Sequence, residues 1–498
     1  MSQHPRHPVR IVTAASLFDG HDASINIMRR VLQEKGAEVI HLGHNRSVRD
    51  VVVSALQEGA QGIAVSSYQG GHMEYFKYMK DLLREAGADE VKIYGGGGGV
   101  IIHEEKSELE NYGISQIFHP DDGRRLGLEG MIGEIIKGCD FSLVERSRGK
   151  TGKSPEPENP IPHHELGLAL TALENGEDLK PFESALAHFK NKSGKAPLVL
   201  GITGTGGAGK SSLIDELLQR FLNAFPGIKI GVICVDPTKR KTGGALLGDR
   251  IRMNSLSRPG TFMRSVASRG SGNEISKALP SFLEYCKGLD FDLLIAESSG
   301  IGQASTAITE VSDFTLYVMT SEFGAQSQLE KIDMIDYADL IAINKADHRG
   351  SQDALRDVEK QYRRSRKLFD FKGELPVYLT QASNFNDQGV NHLFFGITDV
   401  LAGKCPRGEF WKLNDRQRKE HRGAEKQTLV PVERQNYLAE ITSAVRKYKA
   451  RTEEAAGWAS KLGALNQLAD ALPAEDRSRL EKEYRGKLHG DEVALLDG

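Results

Sequence analysis

The 498-residue sequence predicts an α/β protein in three parts: a doubly wound parallel sheet, a P-loop nucleotide domain and a helical tail. Three observations lead there. From residue 9 to about residue 140, strand-length apolar runs alternate with helical periodicity across short connections, the pattern of a parallel sheet covered on both faces. Gly204 to Ser211 spells G-x-x-x-x-G-K-S between an apolar run, 197–202, and a helical pattern, 212–221. That is the strand–loop–helix context of a phosphate-binding loop. From residue 405 onward the pattern is helical and charged on most faces.

The bulk numbers exclude several classes. Hydrophobic content of 39% and charged content of 27% are those of an ordinary globular chain. Lys+Arg 65 against Asp+Glu 68 gives −3, which makes no electrostatic case for nucleic acid or a membrane surface as partner. No apolar run is long enough to span a bilayer, and residues 1–10 lack the apolar core of a signal peptide. Cys139, Cys234, Cys286 and Cys405 lie far apart and form no C-x-x-C pair, so a cytoplasmic, reducing location is expected.

In the first segment, 1–140, strands are predicted at 9–15, 38–42, 62–66, 91–94 and 116–118. Helices are predicted at 24–35, 48–57, 73–86, 107–112 and 127–137. In such a sheet ligands bind beyond the carboxyl ends of the strands. Three features lie there: Asp19-x-His21 after the first strand, Ser66-Ser67 after the third, and the glycines 95–99 after the fourth. A carboxylate two residues before an imidazole can orient it as a metal ligand. A glycine run costs backbone entropy, which makes sense if something large and flat approaches the chain. A D-x-H by itself is most often a solvated turn; the joint pattern is what points to a site. Residues 141–196 read as a linker, with 146–162 extended or flexible, then short helices at 166–174 and 182–190.

The nucleotide domain is read as 197–404. Gly204, Gly206, Gly207, Ala208 and Gly209 turn backbone N–H groups around an anion, Lys210 reaches the β- and γ-phosphates, and the Ser211 hydroxyl holds Mg²⁺. Asp236 closes the strand 228–235, and Asp249 follows a glycine-rich segment; both suit Mg²⁺. Glu297 closes the strand 291–296 beside Ser298, Ser299 and the switch glycine Gly300. Lys210 and Glu297 are the catalytic candidates. Strand 340–343 runs into Asn344-Lys345-Ala346-Asp347, an N-K-x-D motif. Its Asp accepts from guanine's ring N–H and exocyclic amine, a pair adenine lacks, so GTP is the expected substrate. Ala382, after the strand 377–380, falls at the last base-contacting loop. No glutamine directly follows Gly300, although Gln303 is near, so slow, partner-dependent hydrolysis is expected.

The D-x-H, Ser-Ser and glycine features together resemble the cobalamin-binding domain of the acyl-CoA mutases and methionine synthase, a flavodoxin-like fold. The resemblance implies that His21 is a cobalt ligand with Asp19 as its partner. It also implies a slot for the cofactor's nucleotide tail lined by Ser66, Ser67, Gly95, Gly96 and Gly97. The D-x-H-x-x-G pattern departs at Ser24. T-G-x-x-G-x-G-K-S, D-P, G-G-x-x-L-G-D-R, E-x-x-G-x-G-Q and N-K-A-D resemble the metallochaperone GTPases of cobalamin enzymes. That likeness implies phosphate and Mg²⁺ contacts from Lys210, Ser211, Asp236, Asp249 and Glu297. Ser298 and the Val235 carbonyl are further implied ligands, and Arg252 lies near phosphate.

In this order on one chain, the two resemble the N-terminal half of the fused isobutyryl-CoA mutases. The resemblance implies adenosylcobalamin-dependent rearrangement of acyl-CoA, with the GTPase gating cofactor loading and repair and a charged helical region, 405–498, leading onward. No stretch supplies the acyl-CoA substrate-binding barrel, which is expected on the same full-length chain or on a separate subunit. Without it, cobalamin binding and GTP hydrolysis are expected, but not isomerisation. A homodimer is expected. Two other classes remain open. One is a stand-alone GTPase chaperone delivering cobalamin to a separate mutase such as methylmalonyl-CoA mutase. The other is a nickel-insertion GTPase beside a domain that binds no corrin, against which no His- or Cys-rich tract is present.

Overall fold

The computed structural model describes residues 5–497 apart from positions 22, 193, 240, 270–274, 301–305, 324–331, 416, 419–436 and 469–471. Gly302 and Gln303 lie outside the described residues. The chain forms two compact units, 1–423 and 424–498.

The first sheet is built from β1 (Arg10–Ser16), α1 (Ala23–Glu34), β2 (Glu38–Arg46), α2 (Val48–Gln57), β3 (Gly62–Ser66), α3 (His72–Glu85), β4 (Lys92–Gly96), α4 (His103–Tyr112), β5 (Gln116–Phe118) and α5 (Pro120–Cys139). Its strands are parallel and ordered β5-β4-β3-β1-β2. Every residue of β1 is buried, as an apolar run without alternation requires when helices cover both faces. α2 starts where the Ser47 hydroxyl accepts from the Asp50 amide at 3.1 Å. α5 begins seven residues earlier than its periodicity indicates. Pro120 occupies its first turn behind the cap His119, and Gly127, at φ +65°, interrupts the helix at the expected start.

Of the two readings of 146–162, extended or flexible, the structure shows the extended one, packed in place, and the helix expected at 166–174 is present as part of a longer one. The linker holds α6 (Leu143–Ser147), α7 (His163–Asn175) and α8 (Lys180–Glu183). The Lys153 amide donates to the Glu85 carbonyl at 2.7 Å, and Asn159 is buried with its Oδ1 accepting from Ile161 and Gly260. A Cβ on Gly167 of α7 would lie 2.0 Å from the Leu56 carbonyl of α2, so the two helices touch backbone to backbone. Leu166, Leu168, Ala169, Leu170 and Ala172 enter a core cluster that also holds Val12 and Val51 of the first sheet layer and Phe262 and Leu294 of the second. α7 therefore wedges between the two sheets.

The second sheet runs β6 (Leu198–Gly204), α9 (Lys210–Ala224), β7 (Ile230–Asp236), β8 (Ala245–Leu247), β9 (Thr261–Ala267), α10 (Leu279–Lys287), β10 (Leu293–Glu297), β11 (Phe314–Thr320), β12 (Leu340–Asn344) and β13 (Val377–Leu379). Seven of these strands pair in parallel in the order β13-β12-β11-β6-β10-β7-β9. β8 leaves this sheet. It pairs with β2, Glu38 opposite Ala245 through Ile40 opposite Leu247, and becomes the sixth strand of the first sheet.

The second unit holds helices Tyr437–Gln467, Ala474–Arg485 and Gly490–Asp497. The first of these runs unbroken through 448–452, where no Gly or Pro stands to end it. Leu462 and Leu465 are buried, and the Trp458 and Tyr484 rings lie 5.6 Å apart. Among the described residues no helix is long and apolar enough to cross a membrane.

Candidate functional site

The strand order of the first sheet reverses between β1 and β3, and ligands of open α/β sheets bind at such a switch point. The loops there carry Asp19, His21, Ser66 and Ser67. Asp19 is fully buried. Its Oδ1 accepts from the His21 amide at 2.9 Å and the His21 Nδ1 at 2.8 Å, and its Oδ2 accepts from the Tyr68 amide at 2.7 Å. Burial alone would raise its pKa; the bonds from the Tyr68 and His21 amides and the His21 ring outweigh that and hold it below the usual carboxylate range. With Nδ1 engaged, Nε2 is the nitrogen left for an electrophile, and the His21 side chain is 71% exposed.

Beside His21 a cleft with an empty volume of about 650–700 Å³, mouth included, runs between the sheet, α1 and α5. Ser66, Tyr68, Gly95 to Gly98, Phe118 and His119 line it. The Ser66 hydroxyl is buried without a hydrogen-bond partner among the described residues. Ser67 is not part of that lining: its Oγ accepts from the Ser16 hydroxyl at 2.9 Å under the loop. The glycines divide by cause. A Cβ on Gly95 would lie 2.4 Å from the Phe76 ring, and one on Gly97 would lie 1.9 Å from the Ser67 carbonyl. At those two positions the protein's own packing already requires glycine, and both also line the cleft. Sequence reasoning missed Tyr68, whose hydroxyl meets Ser24 Oγ at 2.8 Å and whose ring lies 5.5 Å from that of His21. The Ser-Ser-Tyr run after β3 was the available signal.

The second site is the loop between β6 and α9. Gly207 and Gly209 have φ +76° and +90°, and a Cβ on Gly209 would meet the Asn344 amide at 2.4 Å. Asn344 Nδ2 donates to the Ala208 carbonyl at 2.8 Å, while its Oδ1 accepts from Thr380 and the Ala382 amide. One buried side chain thus ties three loops. Lys345, at φ +58°, lines the cleft; the Ala346 amide donates to the Thr380 carbonyl at 3.0 Å, and Asp347 is exposed.

A cleft with an empty volume of about 850–900 Å³, mouth included, gathers Gly206, Gly207, Gly209, Lys210 and Ser211 with Val235, Asp236, Asp249, Arg252, Glu297 and Ser298. Gly204, Ala208, Asn344, Ala346, Asp347 and Ala382 stand outside that lining. Lys210 Nζ donates to the Gly204 carbonyl at 3.1 Å. The Ser211 hydroxyl lies 2.8 Å from Asp249 Oδ1 and 3.2 Å from Glu297 Oε1, and Arg252 Nη1 reaches Asp249 Oδ1 at 3.0 Å. Ser298 instead donates to Thr203 Oγ1 at 2.7 Å. Burial, then Asp249, pushes Glu297 up to about 8 against the pull of Lys210. Burial, then Asp249 and Glu297, raises Asp236, whose Oδ2 is buried without a partner. Three crowded acids of this kind suit a divalent cation. Cys234, read from the sequence only as one of four separated cysteines, donates to Glu297 Oε2 at 3.4 Å and underlies the cluster.

The methylmalonyl Co-A mutase-associated GTPase MeaB family signature matches residues 166–442, and a B12 binding domain matches residues 9–122. The chain is 53% identical over 504 residues to the fused isobutyryl-CoA mutase of Geobacillus kaustophilus (strain HTA426), covering 99% of this chain and 46% of the relative. It is 54% identical over 453 residues to that of Cupriavidus metallidurans (strain ATCC 43123 / DSM 2839 / NBRC 102507 / CH34), covering 90% and 40%. It is 46% identical over 498 residues to that of Nocardia farcinica (strain IFM 10152), covering 99% and 45%. The chain spans less than half the length of these relatives. It belongs to the methylmalonyl-CoA mutase-associated GTPase family and carries a B12-binding domain ahead of its GTPase.

Proposed function

We propose that this chain binds adenosylcobalamin beside β1 and hydrolyses Mg²⁺·GTP at the β6–α9 loop, the GTPase gating cofactor loading and repair for an acyl-CoA mutase. The residues fit both groups. For the corrin, His21 offers Nε2 while the buried Asp19 holds Nδ1, and the apolar cleft with the unpartnered Ser66 hydroxyl suits the nucleotide tail. Gly95, Gly96 and Gly97 line that cleft, and Ser67 braces the loop behind it. When bound, this cofactor supplies the radical chemistry of carbon-skeleton rearrangement. His21 would hold it through Nε2, and Asp19 fixes the tautomer of His21.

For Mg²⁺, Ser211, Asp236, Asp249 and Glu297 are the proposed holders, with the Val235 carbonyl as a further oxygen. Ser298 must release Thr203 to join them. Lys210 and the amides of Gly204 to Ser211 take the β- and γ-phosphates, with Arg252 near them. Asn344, Lys345, Ala346, Asp347 and Ala382 take guanine, Asn344 by bracing the loops that carry the others.

The acyl-CoA barrel is proposed as part of the whole protein or as a separate subunit, isobutyryl-CoA and n-butyryl-CoA as the interconverted pair, and this chain alone as inactive in isomerisation. A homodimer and a cytoplasmic location complete the reading; the four cysteines, all unpaired in disulfides, suit the latter. The observation that carries the reading is the Asp19–His21 pair at the switch point beside an apolar cleft. The test is the visible spectrum with adenosylcobalamin. A base-off, His-on form that disappears in His21→Ala supports it, and a native protein that leaves the spectrum unchanged ends it. The name of the matched GTPase family favours one second reading: a chaperone serving a separate mutase. Mutase turnover on adding a candidate barrel subunit, measured with this chain as the sole cobalamin-binding domain and then beside a complete mutase, separates the two.

A further inference from the structure

We propose that Glu58, in the B12-binding domain, is a positioning residue for the metal-side carboxylate Asp249 of the GTPase. The inference rests on the reading of Asp249 as a Mg²⁺-side group. Asp249 is carried by a segment that leaves the nucleotide sheet and is shaped by the other domain. The three residues of β8 before it pair with β2. Ile251 after it packs on β2 so tightly that a Cβ on Gly43 would lie 2.9 Å from Ile251 Cδ1. Between them, Arg250 is buried and turned toward the end of α2. Its Nε reaches Glu58 Oε1 at 3.1 Å, and its Nη2 reaches Gln57 Oε1 at 2.9 Å and the Met263 carbonyl at 2.8 Å.

Glu58 itself is fully buried. Among the described residues, the hydrogen bonds to its carboxylate come from Arg250 Nε, the Ser265 amide at 2.9 Å and the Ser265 hydroxyl at 3.0 Å. All three donors belong to the nucleotide domain. A carboxylate buried with donors only from across the boundary does its work there. The charge-assisted bond fixes the Arg250 guanidinium, and Arg250 is the chain neighbour of Asp249. Asp249 in turn meets Ser211 at 2.8 Å and Arg252 at 3.0 Å. Mg²⁺ demands near-ideal octahedral geometry, so a small drift of one carboxylate weakens the whole set. By this route the B12-binding domain completes the metal side of the GTPase, as outer partners complete a metal site in general.

The experiment is steady-state GTP hydrolysis by the full chain against free Mg²⁺, for the native protein, Glu58→Gln, Glu58→Asp, Arg250→Lys and Asp249→Asn. Glu58→Gln is expected to raise the half-saturating Mg²⁺ about tenfold, the scale of an outer-partner loss. The GTP KM at saturating Mg²⁺ and Mg²⁺-independent GDP binding should hold near native. Glu58→Asp, which keeps the charge, recovers part of the shift. Arg250→Lys moves Mg²⁺ dependence the same way, and decides the matter should Glu58→Gln fail to fold. A folded Glu58→Gln or Arg250→Lys protein with native Mg²⁺ dependence overturns the inference. If Asp249→Asn leaves the Mg²⁺ requirement unchanged, the metal-site reading falls and this inference with it. If Asp249→Asn raises the requirement and Glu58→Gln does not, this inference alone falls.

Discussion

If Glu297 holds the proposed Mg²⁺, a proton and a cation compete for its carboxylate, and the competition is measurable. Burial beside Asp249 brings its pKa to about 8 from an ordinary 4.5. At pH 7 about nine molecules in ten therefore hold the proton in the cation-free protein, and releasing it costs about 1.4 kcal/mol. A cation that needs the ionised carboxylate must displace that proton. Through Glu297 alone its apparent affinity should rise about tenfold per pH unit up to pH ~8, and the raised Asp236 beside it steepens that rise. The same shift bears on stability. Between the unfolded value of 4.5 and the folded value of about 8, the native state binds a proton that the unfolded chain has released. The cation-free protein should therefore lose stability as pH rises through that window, with the full contribution present only below it. Isothermal titration of the nucleotide-free chain with Mg²⁺ or Mn²⁺, from about pH 6 to 9, reads the affinity directly. In Glu297→Gln the slope should fall well below one, because the proton is gone and Asp236 loses one of the charges that raise it. A native protein with flat affinity across this range, or a Glu297→Gln protein with the native slope, refutes the reasoning.

Asn344→Ala removes a buried brace shared by Ala208, Thr380 and Ala382, which at about 1 kcal/mol per bond should weaken GTP roughly a hundredfold, measured by fluorescent-nucleotide titration. Gly97→Ala forces a methyl against the Ser67 carbonyl, so the β3 and β4 loops must part; cobalamin binding followed by visible spectra should be lost while GTP hydrolysis persists. Glu38 is held below the usual carboxylate range because Arg10 and Arg269 outweigh the cost of its burial. Its contribution is present above the unfolded value of 4.5 and is lost as pH falls through the folded one. Glu38→Gln should cost about 3–5 kcal/mol in urea unfolding at neutral pH, with the gap from native narrowing in acid.

Local chemistry was legible in the sequence and long-range destinations were not. A phosphate loop, an N-K-x-D and a D-x-H each act within a few residues, so spacing and flanking strands reveal them. Most strands of both sheets show as unbroken apolar runs, because parallel sheets hide both faces. β9 escaped because Arg264 interrupts its run, and that arginine is fully buried against Glu174 and Thr171. β8 escaped because three residues in a glycine-rich segment say nothing about which sheet they join. The linker stayed ambiguous for the same reason: proline and glycine announce turns, not whether the turns are packed. The glycine run told of a constraint without telling its source, which for Gly95 and Gly97 is Phe76 and the Ser67 carbonyl.

What those hidden contacts do follows from their kind. Arg10, Glu38, Glu174, Arg264 and Arg269 form a largely buried ionic cluster drawn from β1, β2, α7, β9 and the turn after β9. Burial, then Arg10, lowers Arg264 to about 10, and Glu174 opposes the fall. Such a cluster is a poor source of stability compared with apolar packing of the same volume. It is, however, directional, since each guanidinium bond holds at one register only. If β9 slides past α7 and β2, the Arg264–Glu174 and Arg269–Glu38 pairs fail together, leaving buried charge uncompensated. The apolar wedge of α7 would tolerate such a slide; the charges do not. The B12-binding and GTPase sheets are thus locked as one body, so a change at Asp249 reaches β2 through β8 with no slack at the boundary.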